Sequence, residues 1–291
     1  MRSALQRDIV IQNLSNLNKK FIDKLFFITP DFGAKALDEF REKHPNKFIF
    51  PGISEQLSVD YSYGCSLAGF KPILYGMSPF VTARCFEQFK VLYGQTALPI
   101  LLISVGCGLG YDHNTLSHYS LEDIALFSSI PDFTIISPLT CESAVEYTTK
   151  YIKADCKLHL RLERHNMPIN SKDLPKNLFK NDDTYFRKAK SDRLIISYGS
   201  LALDLLDKTD DSLLIFENLS QSISSEVKLI INNFSNIVLI EEAFEHCGIY
   251  SRLSKVVENK QTLSHFFIGN EIANTKISRN KAKEKYLFCG I

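Results

Sequence analysis

Four segments of the sequence concentrate the side chains that could do chemistry. They are PGISEQ at 51–56, MSPFVTAR at 77–84, GCGLGYDHNTLSHY at 106–119 and RLERHNMP at 161–168. Glu55 falls in the first turn of a predicted helix, where a carboxylate either caps backbone amides or serves a ligand. Phe80 lies just inside another helix start, a position typical of the core, and Arg84 follows one turn later on the same face. An arginine at a strand end, as in the fourth segment, is either solvated or clamps a phosphate.

The third segment has the composition of a ligand-binding loop. It contains three glycines, two histidines, two tyrosines and an aspartate, which is a poor composition for a plain connection. Its glycines do not follow the G-x-G-x-x-G spacing of a dinucleotide-binding turn. A metal site built from Asp112, His113 and His118 is conceivable, although their spacing is loose for metal ligands.

Alternating apolar runs and amphipathic stretches predict the elements that position these segments. Strands are predicted at 25–29, 47–50, 72–75, 99–105, 133–137 and 157–162, and helices at 33–43, 54–69, 79–94, 120–129 and 139–152. This alternation is typical of βαβ units in a mostly parallel sheet. Ligands of such sheets bind beyond the carboxyl ends of the strands, where the four segments begin.

The pattern then breaks and restarts. Residues 169–190 are densely charged with little periodicity, which predicts an interdomain linker on the surface. Further strands are predicted at 193–198, 212–216 and 236–241, with helices opening at Gly199, spanning 221–233 and following Gly248. We therefore predict an α/β protein with a parallel-sheet domain at 1–168, a linker at 169–190 and a smaller α/β domain at 191–291.

Composition and charge exclude several classes of protein. The 291 residues include 34 Lys and Arg against 33 Asp and Glu, for a net charge of +1, so there is no basic field for nucleic acid or an anionic membrane. The 7 cysteines are odd in number and widely spaced without C-x-x-C, which predicts reduced thiols in a cytoplasmic protein. Charges interrupt the apolar positions of residues 1–17, so no signal peptide or membrane anchor is predicted.

Taken together and in order, the segments resemble the pyrimidine-binding and C-terminal domains of transketolase and 1-deoxyxylulose-5-phosphate synthase, which use thiamine diphosphate. GISEQ at 52–56 is similar to G-I-x-E-[HQ], and PFVTARCFEQ at 79–88 to P-F-x-T-x-R-x-x-[ED]-Q. The third segment, continued by EDIA at 122–125, is similar to G-x-x-[ST]-H…E-D-[IL]-A. The resemblance is strong over 25–170 and weaker beyond. It implies a parallel-sheet pyrimidine-binding domain followed by a smaller α/β transketolase C-terminal domain.

The resemblance implies two catalytic residues. Glu55 would bond to N1′ of the aminopyrimidine and favour the tautomer that removes the proton from C2 of the thiazolium. This role requires a buried carboxylate rather than a solvated cap. His118 would donate and accept a proton at the substrate carbonyl or hydroxyl.

The resemblance also implies binding residues. The residues implied for the cofactor are Glu55, Phe80, Asp31, Met77 and Arg84. The residues implied for the substrate are His118, Arg164, Asp112 and His113. Phe80 would stack on the aminopyrimidine, and Met77 stands where many members carry a second aromatic. Arg164 matches an arginine that binds the phosphate of a sugar phosphate, and Asp31 matches an acidic residue at the subunit interface.

The sequence contains no Gly-Asp-Gly, the motif that, with a later asparagine, holds the diphosphate and its metal in full-length members. The chain thus resembles the C-terminal subunit of a split transketolase and is expected to hold no metal itself. A separate N-terminal subunit carrying G-D-G…N would hold Mg²⁺ or a similar divalent ion. Thiamine diphosphate would then lie between the subunits of an α2β2 assembly that also has homodimer contacts, with sugar phosphates as substrates.

Two other functions stay open. A subunit that takes pyruvate as donor, like deoxyxylulose-phosphate synthases or the β subunits of 2-oxoacid dehydrogenases, would share Glu55. The residues Ser117-His118 and Glu122-Asp123 favour a transketolase over a pyruvate-using enzyme. A degenerate paralogue would act as a non-catalytic scaffold, an interpretation that the intact Glu55, His118 and Arg164 disfavour.

Overall fold

Consecutive apolar residues in the first half of the chain form a parallel sheet. The computed structural model describes residues 2–30, 35–220, 222–289 and 291. The strands up to residue 168 are β1 (Ser3–Leu5), β2 (Leu25–Ile28), β3 (Phe48–Ile49), β4 (Lys71–Met77), β5 (Ile100–Val105), β6 (Phe133–Ile136), β7 (Lys157–Leu162) and β8 (Asn166–Pro168). Six of them form a sheet in the order β3-β2-β4-β5-β7-β6, with every pairing parallel.

Both faces of this sheet are covered. Leu101 and Leu102 of β5 are fully buried but belong to different apolar clusters, one on each face, as expected for a strand with a continuous apolar run. The helices of this half are α1 (Gln6–Ser15), α2 (Lys19–Ile22), α3 (Asp38–Lys43), α4 (Glu55–Leu67), α5 (Ser78–Val81), α6 (Phe86–Gln88), α7 (Asp123–Ser128) and α8 (Cys141–Lys153). Antiparallel pairing of β1 with β8 ties the start of the chain to residues 166–168.

The helix predicted at 79–94 is divided into several pieces. A 3₁₀ turn separates α5 from α6, and a π-helical turn, Phe89–Tyr93, follows. The break falls at Thr82, whose backbone leaves helical geometry at φ −109 and ψ −82. The Thr82 hydroxyl donates to the carbonyl oxygen of Ser78 at 2.6 Å, and such a bond offers the backbone an alternative to the regular helix. The prediction of one continuous helix is therefore wrong.

The second half of the chain forms a mixed sheet of its own. Its strands are β9 (Phe179–Asn181), β10 (Thr184–Arg187), β11 (Arg193–Tyr198), β12 (Ser212–Phe216), β13 (Asn236–Ile240) and β14 (Thr262–Phe266), in the order β14-β13-β11-β12-β10-β9. The pairings among β11 to β14 are parallel, whereas those of β10 with β12 and β9 are antiparallel. Its helices are α9 (Gly199–Lys208), α10 (Ser225–Asn232), α11 (Tyr250–Leu253) and α12 (Arg279–Ala282).

The segment predicted as a linker, 169–190, contributes β9 and β10 to this second sheet. The side chain of Tyr185 in β10 is almost fully buried, so the segment is part of the second core rather than a bare surface connection. The domain boundaries themselves stay a prediction. Each of the seven cysteines is a free thiol. Among the residues that the structure describes, none of the helices combines the length and the apolar composition needed to span a bilayer.

Candidate functional site

The four candidate segments follow β3, β4, β5 and β7 at one edge of the first sheet. Because the order of strands is β3-β2-β4-β5-β7-β6, these segments lie side by side in the order in which they occur along the chain. The segment after β2 contains Asp31, which lies outside the described residues. The parallel sheet thus brings together residues that are far apart in sequence.

Glu55 is the first residue of α4, and its side chain is 10% exposed. Its Oε1 accepts a hydrogen bond from Nη1 of Arg84 at 2.6 Å, while the Arg84 side chain remains 47% exposed. The guanidinium of Arg84 also lies 4.1 Å from the ring centroid of Phe80, as a cation–π contact. One guanidinium therefore bridges a buried carboxylate and an aromatic face.

His118 continues this row of contacts on the other side of Phe80. The two ring centroids are 5.0 Å apart in an edge-to-face arrangement. Nδ1 of His118 lies 2.9 Å from Oγ of Ser117, which leaves Nε2 as the ring nitrogen for a ligand. Burial lowers the pKa of His118, and the nearby His113 and Arg84 lower it further. The imidazole is therefore neutral at neutral pH and able to accept a proton.

Arg164 reaches the same loop from the end of β7. Its guanidinium lies 4.5 Å from the ring centroid of Tyr111, and its Nη1 is 3.3 Å from both the carbonyl oxygen of Gly110 and Nδ1 of His113. The ring of Tyr111 is 6.3 Å from those of His113 and His118. Tyr111 therefore links the arginine to both histidines, a position that its residue type alone did not indicate.

Asp112 and Met77 differ from the other candidates. Oδ2 of Asp112 accepts a hydrogen bond from the backbone N–H of Arg279 at 2.6 Å, so this carboxylate ties the loop to the second half of the chain. Met77 is the last residue of β4 and is partly buried beside the segment that contains Phe80. The row of contacts from Glu55 to His118 includes neither side chain.

A buried cluster of charges lies directly behind Arg164. The guanidinium of Arg279 donates to Glu163 at 2.9 Å and to Glu242 at 2.8 Å, and all three residues are almost completely buried. Ser200 donates through Oγ to Glu163 at 2.7 Å. Sequence reasoning missed this cluster, because Arg279 opens the charged run RNKAKEK, which is typical of a solvated helix.

A second buried ion pair involves Asp123, the aspartate of the E-D-I-A motif that follows the loop. Arg161 donates to Asp123 through Nε at 2.6 Å and through Nη2 at 3.1 Å, with both side chains 2% exposed. A buried pair of this kind costs about 3–5 kcal/mol when one partner is removed. Asp123 therefore anchors α7 to β7 below the site.

No group of three or more His, Cys, Asp or Glu side chains within the described parts of the chain is arranged to hold a metal ion. Asp112 and His113 do approach each other, at 3.7 Å. A cleft of about 690 Å³ lies elsewhere, between α8 and the second half of the chain, and is lined by Lys150, Asp183, Arg252 and others. None of the candidate residues lines this cleft.

Comparison with known proteins gives a family and a fold. The family model described as the transketolase pyrimidine-binding domain matches residues 11–170. The apulose-4-phosphate transketolase of Phocaeicola vulgatus has one subunit that is 26% identical over 163 residues, covering 56% of this chain and 50% of that protein. The 1-deoxy-D-xylulose-5-phosphate synthase of Clostridium acetobutylicum is 28% identical over 182 residues, covering 62% and 29%. The chain spans about half the length of the first curated relatives it matches.

Solved structures agree with the fold. One, described as a split-gene transketolase in an inactive β4 tetramer, has a TM-score of 0.73 at 18% identity, covering 98% of this chain and 94% of that one. Transketolase from Campylobacter jejuni has a TM-score of 0.72 at 14% identity, covering 92% and 43%. At such identities the likeness confirms the predicted α/β architecture with its two sheets.

Proposed function

The chain belongs to the transketolase family, and from that premise we propose that it is the C-terminal subunit of a thiamine-diphosphate-dependent transketolase. It transfers a two-carbon ketol unit between sugar phosphates together with a separate subunit that holds the diphosphate. The observation that carries the proposal is the row of contacts from Glu55 through Arg84 and Phe80 to His118. This row aligns a buried carboxylate, an aromatic face and a neutral imidazole along one edge of the sheet.

These residues fit the aminopyrimidine half of thiamine diphosphate. A buried carboxylate suits a hydrogen bond to a ring nitrogen, and the partly buried ring of Phe80 suits stacking on a planar heterocycle. In the structure a planar hydrogen-bond donor, the guanidinium of Arg84, already spans the two groups at 2.6 Å and 4.1 Å. When bound, the cofactor supplies the carbon nucleophile that cleaves a bond next to a carbonyl group.

The chain's own residues supply protons and orientation. With the cofactor bound, Glu55 would hydrogen-bond to N1′ of the aminopyrimidine, while Phe80 and Met77 would wall the ring. His118 exchanges a proton with a substrate hydroxyl or carbonyl through Nε2, because its Nδ1 faces Ser117. Arg164 and His113, which lie 3.3 Å apart, bind the phosphate and a hydroxyl group of the sugar.

An exposed apolar stripe near Glu55 supports the presence of a partner. On the outer face of α4 and just before it, Ile53, Leu57 and Tyr61 are 85%, 45% and 46% exposed. Leu57 and Tyr61, four residues apart, share one face of α4, and Ile53 lies just before the helix; apolar patches of this kind mark interaction sites. We propose that the partner carries the G-D-G…N motif and Mg²⁺, and that two copies of each subunit assemble.

Reconstitution tests the proposal. The chain is combined with a subunit that carries G-D-G…N, thiamine diphosphate and Mg²⁺, and ketol transfer from a ketose phosphate to an aldose phosphate is measured. We expect Glu55→Gln to lower kcat at least about 100-fold, as for the loss of a positioned proton-transfer group. Glu226→Gln is the matched control, because Glu226 also lies in the first turn of a helix but is exposed. Unchanged turnover of Glu55→Gln would contradict the catalytic role of Glu55.

A pyruvate donor is the second candidate, favoured by the 28% identity with a 1-deoxy-D-xylulose-5-phosphate synthase. This second function predicts that the same complex releases carbon dioxide from pyruvate and does not turn over the ketose phosphate. If the complex turns over neither donor yet forms stably, the scaffold interpretation replaces both. The chain by itself is expected to be inactive, in keeping with the solved neighbour described as an inactive β4 tetramer.

A further inference from the structure

The loop at residues 106–119, which carries His118, is held by a contact from the far end of the chain. Oδ2 of Asp112 accepts the backbone N–H of Arg279, the first residue of α12, at 2.6 Å. Asp112 opens the 3₁₀ turn Asp112–Asn114, and the hydroxyl of Tyr119 reaches the carbonyl oxygen of Asp112 at 3.4 Å. The short segment that contains His118 is therefore fixed at both of its ends.

The donor of this contact is itself immobilised. The guanidinium of Arg279 makes hydrogen bonds to Glu163, Glu242 and Ser200, and the residue is 4% exposed. Two carboxylates and a hydroxyl that surround one buried guanidinium define a single arrangement, because each alternative leaves a buried charge unpaired. The backbone N–H of Arg279 is therefore presented to Asp112 by a rigid support.

The same support contacts the start of the loop. Gly108 has φ +58, and a Cβ atom placed there would lie 2.6 Å from Oε2 of Glu242. A side chain at this position is excluded both by the backbone conformation and by the Glu242 carboxylate. Glu242 thus packs against the loop at Gly108 while it holds Arg279, which binds the loop at Asp112.

We propose that Asp112 and Arg279 are positioning residues, which hold loop 106–119 in the conformation that presents His118 to the substrate. The inference rests on the proposed function, since it gives the second domain a part in the same site. It also assigns Asp112 a different task from the substrate contact that the family resemblance implies. Its carboxylate acts as a hydrogen-bond acceptor for the second domain, so the oxygen matters and its negative charge does not.

Hydrogen exchange of the chain alone tests this positioning directly. In Asp112→Ala we expect the backbone amides of Asn114, His118 and Arg279 to exchange about tenfold faster or more, because the bond that fixes the segment is lost. Asp112→Asn keeps an acceptor oxygen and should restore most of the protection. Asp173→Ala is the matched control, since Asp173 also accepts a backbone N–H, from Asn170 at 3.2 Å, in a 3₁₀ turn distant from the site.

Each outcome distinguishes the inference from the proposed function. Faster exchange confined to loop 106–119 and Arg279, at an unchanged melting temperature, supports the positioning role even if no donor is turned over. Wild-type exchange in Asp112→Ala would overturn it. In the active complex, Asp112→Ala should lower kcat and Asp112→Asn should recover it, whereas a direct substrate contact through the charge predicts that both variants are impaired alike.

Discussion

The buried Glu163 allows the coupling between the two halves of the chain to be measured through pH. Glu163 follows β7, whereas Arg279 and Ser200, which hydrogen-bond to it at 2.9 Å and 2.7 Å, belong to the second half. Burial would raise the pKa of this carboxyl, but the charge of Arg279 and the hydrogen bonds from Arg279 and Ser200 lower the pKa to about 2. The folded state is therefore stabilised by the ionised form.

The size of this stabilisation follows from the difference between the two pKa values. An ordinary value of 4.5 against about 2 in the fold corresponds to about 3 kcal/mol, because each pH unit is worth about 1.4 kcal/mol. A lowered pKa stabilises the fold above pH 4.5, and the stabilisation is lost as the pH falls toward 2. We expect Glu163→Gln to reduce the free energy of unfolding by about 3 kcal/mol at pH 7, with the deficit shrinking below pH 4.5.

Urea unfolding followed by circular dichroism at pH 7, 5, 4 and 3 measures the deficit. Glu217→Gln is the matched control, because Glu217 is also buried but burial raises the pKa of its carboxyl. That variant should gain stability relative to wild type as the pH rises above 4.5, the opposite sign. A deficit of Glu163→Gln that is the same at every pH would refute the reasoning, since it would then reflect packing and not the charge of Glu163.

Four further predictions concern the site itself. Phe80→Leu should weaken thiamine diphosphate binding by the reconstituted complex about two- to tenfold by calorimetry, since stacking contributes about 0.5–1.5 kcal/mol. The NMR titration midpoint of His118 should fall below 6.5, because burial, and then His113 and Arg84, lower its pKa; Arg84→Met should raise the midpoint. Arg164→Met should raise KM at least about tenfold for a phosphorylated donor and much less for its unphosphorylated analogue. Thr115 has φ 63, a backbone conformation that strains threonine but not glycine. Thr115→Gly should therefore raise the free energy of unfolding by about 1 kcal/mol, and it should lower kcat because the loop that carries His118 becomes less restricted.

The architecture of the first half could be predicted from local pattern. Buried parallel strands read as continuous apolar runs, and strand β7 was predicted with the bounds observed, Lys157–Leu162. The start of α4 was predicted at residue 54, one residue before the observed start at Glu55, from the Pro-Gly turn before it. Once parallel strands are recognised, the convergence of the four segments follows, because all of them leave the sheet at the same edge.

The parts that could not be predicted depend on distant partners. Strands β9 and β10 are short and lie among charged residues, and they become strands only because β10 pairs with β12 and β9 pairs with β10. Arg279 forms a buried ion pair with Glu163, which is 116 positions away in the sequence. No local pattern in a charged run indicates which of its basic residues will be buried. The family resemblance implies a substrate contact for Asp112, but nothing local in the sequence indicates that its carboxylate accepts a hydrogen bond from a backbone amide of the second half.

The edge of the sheet explains where the loop begins but not the conformation that it takes. Thr115 has φ 63 and ψ −163, a combination that non-glycine residues rarely adopt, and such strain of about 1–3 kcal/mol persists only where surrounding contacts impose it. Three residues later, the N–H of His118 donates to the carbonyl oxygen of Thr115 at 3.0 Å, so the strained residue helps to fix the backbone at His118. The contact from Asp112 to the second half of the chain is available to impose that strain. We therefore expect that loss of the contact between Asp112 and Arg279 would relax the loop at Thr115 and displace His118.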